Sequence, residues 1–171
     1  MFLTKKFMKR IKIISLLIVV SSLLLSGCGK NKIEPARPEF KTSQASTENN
    51  YNTPIKVGTK NLLVEVANTD QAREQGLSGR QKLEDGKGML FDFTNTENSK
   101  PTFWMKDMNF DIDIIWISDK KIIGIEKNVP APKNNYNLPT YTPPSKVDYV
   151  LEVPSDWCEK NKIQINDLIQ L

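Results

Sequence analysis

Two regimes of hydrophobic and polar patterning divide the chain. From Ile13 to Leu25 apolar residues follow one another with only serines between them, directly after a cluster of lysines and an arginine. After a polar stretch the pattern changes to short apolar runs broken by glycine, asparagine, aspartate and proline, which is the rhythm of strands joined by turns. Ile55–Val57 and Leu62–Ala67 predict the first two strands. Gly88–Phe93 sets Met89, Phe91 and Phe93 on one face and Leu90 and Asp92 on the other, the period of two that a strand requires. Thr102–Met108 and Ile112–Ile117 predict two more strands, and Asp113 shares a face with Ile115 and Ile117. Ser118–Lys121 is a tight connection into a strand at Ile122–Glu126, Tyr149–Val153 is another strand, and Ile163–Leu171 ends the chain as a turn and a strand.

Two short helices complete the pattern. Asn68 or Thr69 caps the first, Asp70 suits its first turn, and Gly76 followed by Leu77 provides the glycine stop and its apolar contact. Ser155 is the predicted cap of the second, which runs to about Lys160. Asn128–Ser145 is the one long irregular segment; its five prolines favour stiff extended backbone, and Tyr136 and Tyr141 give it amphipathic contact area. Hairpin-length connections favour antiparallel pairing over crossovers through helices. The predicted class is therefore mainly β (α+β), a compact antiparallel, barrel-like sheet with two short helices.

The amino-terminal pattern sets location. Lys5, Lys6, Lys9, Arg10 and Lys12, then the apolar run, then Ser26-Gly27 form an export signal, and the run is short for a membrane span of about 20 residues. Leu25-Ser26-Gly27-Cys28 resembles the lipobox of bacterial lipoproteins. That resemblance implies that Cys28 carries the lipid and becomes the first residue of the mature chain, with two or more acyl chains giving stable anchoring. Gly29–Pro54, polar and proline-containing, cannot bury enough surface to fold and reaches about 28 Å as a flexible chain. The organisation is a lipoprotein signal peptide at 1–27, a lipid-anchored flexible linker at 28–54 and a β-rich domain at 55–171. The protein sits on the extracytoplasmic side of a cell membrane.

Charge and cysteine content then narrow the chemistry. The formal charge of +4 includes five basic residues before Cys28; the remaining nineteen against twenty acidic residues leave −1. That balance, without a basic stripe, excludes nucleic acid as a partner. With Cys28 lipidated, Cys158 has no partner within the chain and is a buried small hydrophobe beside Trp157. The absence of histidine removes His-based triads, His-containing zinc sites and the commonest general base. No cofactor motif is present, and a metal site at Asp111 and Asp113 lacks further ligands nearby in sequence.

The stretch Pro101–Ile117 threads Lys106, Asp107, Asp111 and Asp113 between apolar runs, so Lys106 and Asp113 are expected either to pair or to face a cleft. Gly76-Leu77-Ser78-Gly79-Arg80, Gly88-Met89-Leu90-Phe91, Phe103-Trp104-Met105-Lys106, Ile112-Asp113-Ile114-Ile115 and Tyr149-Val150-Leu151-Glu152 together resemble the bacterial and archaeal family called domain of unknown function 192. The resemblance covers about Leu62 to Leu168. It implies a compact β-rich domain with a small barrel-like sheet, many exported members and no established activity. Two departures stand out: Asp111 precedes Ile112-Asp113 where the family has proline, and Asn166-Asp167 replaces Gly-Asp. Asparagine tolerates the left-handed backbone that glycine provides.

The polar positions carried over from that resemblance are Arg80, Lys106, Asp113 and Glu152. Either they form a paired internal network, or some line a pocket walled by Trp104, Met105 and Trp116. For each tryptophan by itself, plain core is the simpler assignment. Three functions follow. The first is a small lipid-anchored binding or accessory module with Arg80, Trp104, Lys106, Asp113, Glu152, Tyr136 and Tyr141 as ligand-binding candidates for an envelope glycan, peptide or protein. The second is a hydrolase of envelope glycans using Asp113 and Glu152 as a carboxylate pair, which requires a separation of about 5–9.5 Å. The third is a structural or assembly partner of another envelope protein. The absence of a recognisable catalytic set favours the first.

Overall fold

The computed structural model describes residues 50–97 and 99–171. The signal, lipobox and linker assignments for residues 1–49 lie outside the described residues. Strands are β1 (Thr53–Val57), β2 (Lys60–Ala67), β3 (Lys87–Asp92), β4 (Phe103–Trp104), β5 (Ile112–Ser118), β6 (Lys121–Val129), β7 (Thr140–Tyr141), β8 (Tyr149–Pro154) and β9 (Ile169–Gln170); α1 (Asp70–Gln75) follows β2 and α2 (Trp157–Lys160) follows β8. The mainly β class with two short helices is the observed one: seven strands in the order β6-β5-β8-β3-β2-β1-β9 form a curled half-barrel, and β4 and β7 make a separate two-stranded ribbon. The sheet starts at Thr53, so Thr53 and Pro54, assigned above to the linker, pair with Val64 and Leu63.

The alternation of the strands assigns each residue to one of two cores. Inside the curl, Ile55, Val57, Leu62, Val64, Leu90, Ile115, Ile117, Ile122, Leu151 and Val153 meet, and Trp157, Cys158 and Ile163 plug the space. On the outer face Met89, Phe91, Ile112, Ile114, Trp116 and Val150 pack beneath Leu77, Leu83, Met105 and Met108 from the connecting segments. The two ends of the sheet approach each other through the segment before β9. Ile122 N–H donates to the Asp167 carbonyl at 3.0 Å, and Gly58 N–H, beyond β1, donates to the Leu168 carbonyl at 2.8 Å. Asn166 stands here at φ 77°, the conformation for which asparagine substitutes for glycine.

Four features differ from the sequence prediction. β2 and β3 are parallel, with α1 lying on the connection between them, because the 68–86 segment is long enough for a crossover. The predicted strand Thr102–Met108 is reduced to Phe103–Trp104. Asp107 turns the chain at φ 57° and Met108 N–H closes the turn onto the Met105 carbonyl at 3.2 Å, so pairing stops. Its partner strand, β7, comes from the segment assigned as irregular.

The fourth is the start of α2. Its N-cap position is Asp156 at φ 64°, which makes no side-chain cap bond, and Ser155 instead donates its hydroxyl to Asn128 Oδ1 at 2.7 Å. The capping acceptor comes from β5: Asp113 Oδ2 accepts the Cys158 N–H at 2.9 Å. α1 follows expectation, with Thr69 Oγ1 accepting from Ala72 N–H at 3.1 Å. Gly76 ends it at φ 49°, where a Cβ would stand 3.3 Å from the Phe91 ring, so glycine answers both the backbone angle and the close packing.

Candidate functional site

One row of side chains crosses the outer face of the sheet. The registers align Glu65 on β2 with Met89 on β3, Met89 with Glu152 on β8, and Glu152 with Ile114 on β5. Two carboxyls thus flank a methionine, their backbones about 10 Å apart across three strands. They meet different fates. Glu65 receives Arg80 in a two-pronged ion pair, Nη1 to Oε2 and Nη2 to Oε1 both at 2.9 Å, and Arg80 Nη1 also donates to the Tyr51 hydroxyl at 3.0 Å. Burial works against the Arg80 charge, but the bond and charge of Glu65, with Tyr51 beside it, more than offset this and raise its pKa. The backbone around Arg80 is clamped as well: Gly79 N–H donates to the Asp107 carbonyl at 2.8 Å, and Asn109 Nδ2 donates to the Arg80 carbonyl at 2.9 Å.

Glu152 has no such partner. It is 6 % exposed, and its carboxyl makes no hydrogen bond or ion pair among the described residues. Desolvation, only partly countered by the positive charge of Arg80, pushes its pKa up to about 8. The side chain lines a cleft of about 320 Å³ between the sheet, α1 and the segment entering β4. Phe91, Phe93, Phe103 and Trp104 wall the cleft, Leu77 and Met108 extend the apolar lining, and Asp70, Arg73, Glu74, Gln75 and Ser78 supply polar groups from α1 and the turn after it. The aromatic wall is interlocked edge to face: Phe103 lies 5.0 Å from Phe91, 6.4 Å from Phe93 and 5.6 Å from Trp116. Arg73 is occupied, bridging Asp70 and the Asp92 carbonyl with its guanidinium 5.4 Å from the Phe93 ring. The lining is therefore mixed, aromatic on one side and polar along α1, in a cleft large enough to seat a small ligand.

The predicted site residues distribute as follows. Trp104 lines the cleft and is 57 % exposed, so it is not core, whereas Trp116 is buried beneath the aromatic wall with its Nε1 unpartnered among the described residues. Met105 is buried and is not part of the wall. Lys106 is exposed on the turn, its ammonium 5.7 Å from the Trp104 ring, which corrects its placement among buried charges. Asp113 is fully buried, on the opposite face from Glu152, and its two oxygens accept the backbone N–H groups of Asn128 at 2.8 Å and Cys158 at 2.9 Å. Asp113 is therefore a fold-closing group. The four charges form no single network, and Asp113 and Glu152 stand on opposite faces of the sheet.

Tyr141 is half-buried on β7 opposite Phe103, and Tyr136 is 83 % exposed; neither lines the cleft. The turn of Tyr136 is nevertheless tied to that of Lys106, since Asn135 and Asp107 exchange hydrogen bonds of 3.1 and 2.6 Å. Sequence reasoning missed Glu65 and the rim of α1. The signal for Glu65 was present, a charge on the face opposite Leu62, Val64 and Val66 within a strand. Cys158 is buried, and desolvation with the neighbouring Asp113 pushes its thiol pKa well above the usual range. Among the described residues no three Cys, Asp or Glu side chains gather as metal ligands.

Comparison with known proteins supports the fold. The chain matches a solved structure of a protein of unknown function from Novosphingobium aromaticivorans at TM-score 0.62 and 23 % identity, covering 70 % of this chain and 84 % of that one. It matches a second, from Sinorhizobium meliloti and provisionally described as a transcription regulator, at TM-score 0.60 and 28 % identity, covering 68 % and 91 %. No functionally curated protein matches. The profile of the DUF192 family, described as uncharacterized ACR, matches residues 53–171, and the chain belongs to that family.

Proposed function

For this member of the DUF192 family, we propose a binding module anchored by lipid at Cys28 to the extracytoplasmic face of a cell membrane, with the cleft beside α1 as its ligand seat. The single observation carrying the ligand seat is Glu152, a buried carboxyl without a partner among the described residues, opening into a cleft walled by aromatic rings. A carboxyl set beside aromatic side chains and open to a cleft is a polar group placed to orient a bound molecule. The exposed Trp104 at the same cleft is a large apolar surface that folding leaves in water. Support for the anchor is the sequence Leu25-Ser26-Gly27-Cys28 behind a charged and apolar leader.

The ligand class suited to aromatic faces beside hydroxyl and carboxyl groups is a fragment of the envelope, glycan or peptide. Two arms test the reading. Metabolic labelling with an alkyne fatty acid marks the wild-type chain and leaves Cys28→Ser unmarked; equal labelling contradicts the anchor. Titration of the full chain in mild detergent with soluble peptidoglycan fragments gives a saturable signal that Trp104→Ala abolishes. Saturable binding unchanged in Trp104→Ala places the ligand elsewhere and contradicts the cleft.

A further inference from the structure

We infer that the cleft takes a small organic cation, an ammonium borne on an apolar body, with its charge against the Glu152 carboxyl and its body against Phe93, Phe103 and Trp104. This rests on the reading of the cleft as a ligand seat and names the chemistry it selects. Three observations carry it. The floor holds a carboxyl that is 6 % exposed, meets no protein donor among the described residues and is open to a donor entering the cleft.

The cations around the floor are already engaged. Arg80 is held by Glu65 and Tyr51, and Arg73 by Asp70 and the Asp92 carbonyl, so an anionic ligand finds no free guanidinium. Glu74 adds a further carboxylate at the rim, and Lys106 stands outside on the turn. Finally, the aromatic surfaces already take cations within the chain: the Lys106 ammonium stands 5.7 Å from the Trp104 ring and the Arg73 guanidinium 5.4 Å from Phe93. Rings that face a cation attract it through their electron-rich faces, more strongly where water is excluded.

A proton linkage follows. With its pKa pushed up to about 8, the Glu152 carboxyl is protonated in the free protein at neutral pH. Pairing with an ammonium requires the ionised form, so its proton passes to the buffer as the ligand enters. At pH 7 about 0.9 proton is released per ligand bound, and affinity rises about tenfold between pH 7 and pH 9 as the carboxyl ionises on its own.

Isothermal titration of the full chain in mild detergent tests this with 2-phenylethylammonium, its uncharged counterpart 2-phenylethanol, and phenylacetate. Buffers of different ionisation enthalpy report the proton. The expected result is preference for the ammonium over the alcohol by tenfold or more at pH 9, proton release at pH 7, and loss of both in Glu152→Gln. Trp104→Ala, altered at an exposed position, is expected to weaken the ammonium independently of any effect on folding. Alcohol or phenylacetate binding as tightly as the ammonium overturns the inference while leaving a ligand seat of other selectivity. Ammonium affinity unchanged in Glu152→Gln, or no ammonium binding, also overturns it, and the peptidoglycan titration with Trp104→Ala then judges the broader reading separately.

Discussion

Replacing Glu152 with glutamine removes an ionisable group while keeping its shape, and the effect on stability has a definite sign at each pH. The folded protein holds the Glu152 proton up to a pKa of about 8, against 4.5 for an unburied glutamate. The raised value makes the stability contribution complete below pH 4.5 and lost progressively as pH rises through 8. At 1.36 kcal/mol per pKa unit the whole span is worth about 4–5 kcal/mol. Urea unfolding of wild type and Glu152→Gln from pH 5 to pH 9 is the assay, and the difference between them cancels every other titrating group. The wild type is expected to lose stability relative to Glu152→Gln by about 4 kcal/mol across that range, levelling off above pH 8. A difference that stays constant within about 0.5 kcal/mol would mean that the Glu152 pKa is not raised in the folded protein, which would contradict its desolvation in the cleft.

The other polar positions separate by the same measurement at neutral pH. Asp113→Asn leaves one of two buried backbone donors facing an amide NH₂ and is expected to cost about 2–4 kcal/mol, whereas Lys106→Ala, on an exposed turn, should stay within about 0.5 kcal/mol. Arg80→Ala breaks a two-pronged pair whose partners are only partly sheltered, for a loss of about 1–3 kcal/mol, and a double-mutant cycle with Glu65→Gln should return a coupling of about 1 kcal/mol or more; zero coupling contradicts the pair. Native Cys158 should resist iodoacetamide until the chain unfolds, since its thiol is buried and its pKa raised. Alkylation at the rate of a free thiol would place it at the surface.

Much of the fold was legible because strands announce themselves by alternation. Ile112–Ile117 and Tyr149–Val153 carry enough branched apolar residues to be central strands, and both lie mid-sheet. What escaped was decided by contacts distant in sequence. The Phe103–Met108 run has strand composition, but it ends pairing at Trp104 because Asp107 adopts a left-handed turn held against Asn135. The cap of α2 comes from Asp113, 45 positions before Cys158, while local sequence pointed to Ser155. That same burial explains why Asp113 resembled a site residue: a charge inside a strand signals a tertiary bond, and spacing along one chain does not say whether the bond is to backbone or ligand. Arg80 and Glu152 were recognisable as polar groups within apolar motifs. Their separation into a paired and an unpaired group depends on Glu65, which joins the row through the parallel β2/β3 register.

Ligand entering the cleft between α1, β4 and the sheet must touch residues of all three. Backbone and side-chain NMR shifts of the full chain in mild detergent, followed while peptidoglycan fragments are added, locate the contact directly. Perturbation is expected at the Trp104 indole, the Phe93 and Phe103 rings and the amides of α1. Tyr136, outside the cleft, should be unmoved. Shifts concentrated on Tyr136 and its loop, with Trp104 and α1 silent, would contradict binding in the cleft.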